Sequence, residues 1–144
     1  MIRVALPVVL LVTTLVAVGC SDSSPAAPTP DAAPFSSTDL IVGTGAEATN
    51  GRTLTVHYTL WLYSASAANH KGTQVQTTIG GSPFTFVLGA GRVIAGWDQG
   101  VPGMRVGGRR ELVIPPSLGY GSTAQQGIPA NSTLVFDIDL LSVQ

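Results

Sequence analysis

The chain has 144 residues, of which 10% are charged, 44% hydrophobic and 6% aromatic, with a formal net charge of −1. Seventeen glycines and ten prolines weigh against a helical bundle, because both residues weaken helix interiors. The single cysteine excludes an internal disulfide framework or a Cys-rich zinc site, and near-neutrality with one lysine weighs against nucleic-acid binding.

In chain order, the first feature is an apolar run from Val4 to Val18, preceded by Arg3. It is short for a membrane-spanning helix, which needs about 20 residues. A positive start, a short apolar stretch and a small-residue exit describe a secretory signal peptide over 1–19. The exit, Ala17-Val18-Gly19-Cys20, resembles a bacterial lipobox. That resemblance implies cleavage before Cys20, lipidation of its thiol and anchoring to the cell envelope, at the outer membrane or the outer face of the inner one. An ordinary signal peptide with a chance cysteine is the alternative. Residues 20–37 are rich in Pro, Ser and Ala and read as an extended tether.

The folded domain is expected over 38–144, where six acidic residues balance six basic ones. Alternation dominates it. Leu54, Val56, Tyr58, Leu60 and Leu62 share one face of a strand over 53–62. Further strands are read at 84–88, 111–114 and 134–141, with weaker ones at 40–42 and 73–78. Between them Val93, Ile94 and Trp97 stand at helical spacing in RVIAGWDQG, and Pro102 ends that short helix. One helix on a curled antiparallel sheet is an α+β domain. Two loops, 63–72 and 117–132, are long enough to be functional or disordered.

Acid–base and metal chemistry find little support. Asp137 and Asp139 lie two apart on a strand and read as a solvated sheet face. His57 and His70 have no catalytic or metal-binding partner in sequence and read as surface residues. Arg105, Arg109 and Arg110 read as strand-end charges, with an anion site as the alternative. Neither Gly43-Thr44-Gly45 nor Gly89-Ala90-Gly91 completes a phosphate-binding motif. The chain is richer in aromatics near glycines and loops, the composition of a binding cavity. Trp97 and Tyr120 stand out, because Gly96, Gly119 and Gly121 leave backbone room beside them.

The segments VHYT (56–59), PFTFVLGAGRVIAGWDQGVPGMRVGGRREL (83–112), IPPSLGYG (114–121) and GIPANSTLVFDIDLL (127–141) resemble FKBP-type peptidyl-prolyl cis–trans isomerases. The resemblance implies a strongly bent antiparallel sheet wrapped on one short helix. It also implies an enzyme that turns X–Pro bonds in folding polypeptides without metal or cofactor. Tyr58, Trp97, Tyr120 and Phe136 would be its catalytic residues. Phe84, Val93, Ile94, Ile128, Val75 and Gln76 would bind substrate, with the Ile94 N–H and the Tyr120 hydroxyl directed at substrate carbonyls. Val75 and Gln76 stand where the family has Phe-Asp, and Leu60 replaces a glycine. That departure leaves open a non-catalytic module that grips proline segments. A monomer is expected, with exported Pro-containing polypeptides as partners.

Overall fold

A computed structural model describes residues 31–144; Cys20, the leader and most of the tether lie outside the described residues. Six strands form one sheet: β1 (Ser36–Ile41), β2 (Thr53–Tyr63), β3 (Lys71–Thr77), β4 (Phe84–Val87), β5 (Arg109–Ile114) and β6 (Leu134–Val143). The order is β1-β5-β6-β2-β3, with β4 also paired to β2, and every pairing is antiparallel. β4 takes the first half of β2, where Val56 faces Phe84, and β3 takes the second, where Leu60 faces Gln76. Register shifts along β1, β2 and β3 accompany the bend of the sheet.

The strands begin earlier than expected at three places, one of them β5, which starts at Arg109 rather than 111. β1 starts at Ser36, and Phe35 packs against the core, so the domain takes in the end of the expected tether. β3 starts at Lys71 rather than near 73, shortening the first loop.

The period-2 pattern decides which side is buried. Leu54, Val56 and Leu60 of β2, Leu112 and Ile114 of β5, and Leu134, Phe136, Ile138 and Leu140 of β6 are all buried on the concave side. The helix α1 (Ala95–Gly100) lies against them, contributing Trp97, with Val101 just after it. It is shorter than the 92–100 reading. Ile94 has extended backbone (φ −61°, ψ 149°) and caps the helix rather than belonging to it. Two glycines let α1 sit directly on β5. A Cβ on Gly96 would lie 2.6 Å from the Ile114 side chain, and one on Gly100 2.6 Å from Leu112. Gly96 is therefore spent on helix–sheet packing, not on room for a ligand beside Trp97.

The convex side carries more organised charge than a merely solvated face. Lys71 lies 2.8 Å from Asp137 and 3.0 Å from Glu111, and sits over the Trp61 ring at 4.8 Å. On this side Arg109 also binds Asp139 through two nitrogens. Arg110 lies on the opposite, helix side, where it pairs with Asp39 and donates to the Gly100 and Pro102 carbonyls, and Arg105 pairs with Glu47. The three arginines around Gly107-Gly108 thus each hold a carboxylate, as strand-end charges do. Burial disfavours the Lys71 ammonium, but its hydrogen bonds and attraction to Asp137 and Glu111 outweigh this, so its pKa is raised. A raised lysine contributes stability below its ordinary pKa of 10.5 and loses it as pH climbs through the folded value. Urea midpoints should therefore fall above pH 10.5 in the wild type. In Lys71→Met that part of the alkaline decline should be missing. Equal declines in both proteins would remove Lys71 as its source.

Candidate active site

The concave side is not completely filled. An open cavity of about 150 Å³ enters between β3, β4, the turn into α1 and the loop after β5. Its floor is Trp97, only 3% exposed yet part of the cavity lining. Four rings surround this indole. Tyr58, Phe86 and Phe136 have centroids 5.3 Å away and Phe84 6.0 Å, at interplanar angles of 61–85°. Such edge-to-face contacts set hydrogen-rich edges against electron-rich faces, which fixes each ring as well as burying it. Phe84 and Tyr120, 38% and 37% exposed, stand at the mouth.

Each lining residue has a local cause. Tyr58 and Leu60 point into the cavity because they continue the apolar face of β2 past Val56. Phe136 lies opposite Leu60 across the β2–β6 pairing. Gln76 lies opposite Leu60 on the other side of β2, so its amide reaches the same cavity. Val93 and Ile94 form the rim, held there by the turn that starts α1. The Ile94 carbonyl accepts the Trp97 N–H at 2.9 Å. Its own N–H donates to no other group among the described residues.

Asp98 fixes the rim from the helix side. Its carboxylate accepts the N–H groups of Gly89 and Gly91 at 2.9 and 3.2 Å. Both glycines have left-handed backbone (φ 75° and 65°), which turns the chain tightly towards Ile94. Asp98→Ala should free this turn. We expect about 0.5–2 kcal/mol lower stability in denaturant unfolding. Proline-peptide affinity should weaken several-fold in titrations, and Asp98→Asn should restore part of it. Unchanged affinity in the alanine variant would show that the turn needs no such anchor.

Eight of the ten substrate-contacting residues expected from sequence line this one cavity: Tyr58, Gln76, Phe84, Val93, Ile94, Trp97, Tyr120 and Phe136. Val75 and Ile128 do not. Alternation turns Val75 away from Gln76 and towards the second long loop, where a Cβ on Gly127 would meet its Cγ1 at 3.1 Å. Ile128 is buried and Val75 half-buried beside a neighbouring hollow that shares Gln76 and Tyr120 with the cavity. That loop is closed on itself by backbone bonds between Gln125 and Ile128 and from the Asn131 N–H to the Gly121 carbonyl, and buried Ile128 ties it to the core. Sequence reasoning missed Leu60 and Arg92. Leu60 was legible, standing two residues from Tyr58 on one strand face; Arg92 carried no local signal.

Arg92 is the one ionised side chain in the cavity lining. Burial raises the Tyr58 pKa above the ordinary phenol value; the neighbouring Tyr120 reinforces this and Gln76 works the other way. The phenol is therefore a neutral donor throughout the physiological range. His57 is remote from the cavity, with its Nδ1 3.0 Å from the Thr78 hydroxyl. His70 stacks on Tyr63. Among the described residues no three His, Cys, Asp or Glu side chains converge on a common point. The lining thus has no nucleophile–base pair; it has aromatic surface, two hydroxyls, the Gln76 amide, the Arg92 guanidinium and a free backbone donor.

Comparison with known proteins agrees with this chemistry. Residues 45–141 match the family described as FKBP-type peptidyl-prolyl cis-trans isomerase. The chain is 44% identical over 107 residues to an "FK506-binding protein" of Neisseria meningitidis serogroup A, covering 73% of this chain and 92% of that one. It is 47% identical over 108 residues to "FK506-binding protein 4" of Neurospora crassa, covering 74% of this chain but 21% of that longer protein. Among solved structures it resembles AtFKBP13, with a TM-score of 0.64 and 36% identity over 76% of this chain and 93% of that one. FkpA from Escherichia coli superposes with a TM-score of 0.65 and 32% identity, covering 83% of this chain and 53% of that one.

Proposed function

Because the chain belongs to the FKBP-type peptidyl-prolyl cis–trans isomerases, we propose that the Trp97 cavity is where its X–Pro bonds turn. The observation carrying this reading is a buried aromatic floor beside an unused backbone donor at Ile94.

The chemistry follows from the amide. Rotation costs about 18–20 kcal/mol because it breaks resonance, and the uncatalysed event takes roughly 10–100 s. At the twisted geometry the carbonyl is less polar than in the planar amide, so water favours the planar form. A proline ring pressed on Trp97, walled by Tyr58, Phe84 and Phe136, leaves that water behind. The twisted state then loses less than the planar one, the differential binding that catalysis requires. The Ile94 N–H and the Tyr120 hydroxyl would hold flanking carbonyls while the bond rotates. About 4 kcal/mol off the barrier gives roughly a thousandfold. No proton moves, which accords with a lining that lacks an acid–base pair.

The leader, Cys20 and the Pro-rich stretch support an exported, lipid-anchored protein acting on exported polypeptides.

Exchange NMR on a proline peptide tests the reading. The full-length protein should collapse the cis and trans lines at substoichiometric concentration, and Tyr120→Phe should slow this several-fold. Gln76→Asp, which adds a carboxylate beside Tyr58, should change the rate, whereas Val75→Phe, outside the cavity, should change it less. Binding without exchange would overturn the catalytic role of the cavity. Palmitate labelling that survives Cys20→Ser would overturn the anchor.

A further inference from the structure

We infer that Arg92 makes this isomerase select prolines flanked by an acidic residue; the inference rests on the cavity being the substrate site. Arg92 supplies the one full charge in the cavity lining. The polar side chains around it, Gln76 and the two tyrosines, are neutral, and burial keeps the Tyr58 phenol protonated.

The guanidinium is also unspent. Of the six cationic side chains among the described residues, Lys71, Arg105, Arg109 and Arg110 hold carboxylates. Arg52 and Arg92 hold none among the described residues, and Arg52 does not line the cavity. The nearest acid in sequence, Asp98, has both oxygens engaged by the Gly89 and Gly91 N–H groups and does not line it either. A charge with no partner in the folded chain, placed at a substrate cavity, is available to a partner on the substrate.

Position narrows the partner. Arg92 is exposed and precedes by two residues the Ile94 N–H that would hold a peptide carbonyl. An arginine side chain spans that separation, so it reaches residues adjacent to the bound proline. A carboxylate there would accept two parallel N–H bonds from the guanidinium. A lysine there would be repelled. The site is open to solvent, so the effect is modest and salt-dependent: about fivefold at low ionic strength.

The test uses full-length protein and proline peptides that differ only in Glu or Lys beside the proline, before it in one pair and after it in another. The readout is the ratio of kcat/KM for the Glu peptide to that for the Lys peptide. The wild type should give about fivefold in at least one pair at low salt, falling towards unity at about 0.5 M salt. Arg92→Gln should bring the ratio close to one, and Arg92→Glu should invert it. A wild-type ratio of one in both pairs, or a preference that survives Arg92→Glu, would overturn the role of Arg92 while leaving isomerisation intact. Failure of the wild type to turn over any peptide would instead overturn the isomerase site, and this inference with it.

Discussion

Trp97→Leu should lower proline-isomerisation activity by about ten- to a hundredfold, and its cause can be separated from unfolding. Trp97 is the floor of the cavity and touches four rings in edge-to-face geometry. Leucine keeps an apolar surface but removes the plane on which a proline ring lies. The hollow it leaves deepens the cavity and lets water follow the substrate. Losing about 1.4–2.7 kcal/mol of preference for the twisted amide corresponds to that range of rate. The same change removes four aromatic contacts and buried volume, and should reduce folding stability by about 2–4 kcal/mol. Exchange NMR at a temperature where the variant remains folded by far-UV circular dichroism isolates the catalytic part. Trp97→Phe should fall between the two proteins. A folded leucine variant with undiminished rate would mean that the proline ring lies elsewhere.

Gly96→Ala should destabilise the domain by about 1–3 kcal/mol, although alanine is the better helix former. Helix propensity favours the change by about 1 kcal/mol. Against it, the new methyl would sit 2.6–2.8 Å from three carbons of Ile114, a side chain with no exposure and no free direction in which to move. Either Ile114 leaves its rotamer or α1 lifts from β5, and the second would tilt Trp97. The variant should therefore show a lower urea midpoint and a weaker affinity for proline peptides. Truncating the obstacle gives the check: Gly96→Ala with Ile114→Ala should be less destabilised than the sum of the two single changes. Strict additivity would place the clash elsewhere.

Most of the site was legible because two regular patterns carry it. Tyr58 continues the alternation of β2, and Phe136 that of β6, so period 2 alone puts both on the helix side of the sheet. Trp97 was legible from its spacing to Val93 and Ile94, yet that spacing misplaced the start of the helix: extended backbone at Ile94 leaves the rim outside α1. Val75 and Ile128 line the adjoining hollow, which shares Gln76 and Tyr120 with the cavity. Their positions depend on how the second long loop folds back on β3, and a bulge between Leu60 and Trp61 shifts the register where they meet. No one-dimensional pattern records such a contact. The charged pairs were half legible: Asp137 and Asp139 were placed on the outer face, but Lys71 and Arg109, which hold them, come from other strands 66 and 30 residues away.

The position of β6 bears on how the molecule is made. It is the last strand in chain order, yet it lies in the interior of the sheet, between β5 and β2. A nascent chain that has emerged only as far as Ser132 therefore presents two unzipped borders, on β5 and on β2, with no wall for Phe136 to supply. The hollow and the sheet must close together, late, when the final segment slides between its neighbours. Long-range pairing of this kind is slow and exposes sticky margins meanwhile, so the domain is vulnerable to mispairing until β6 arrives.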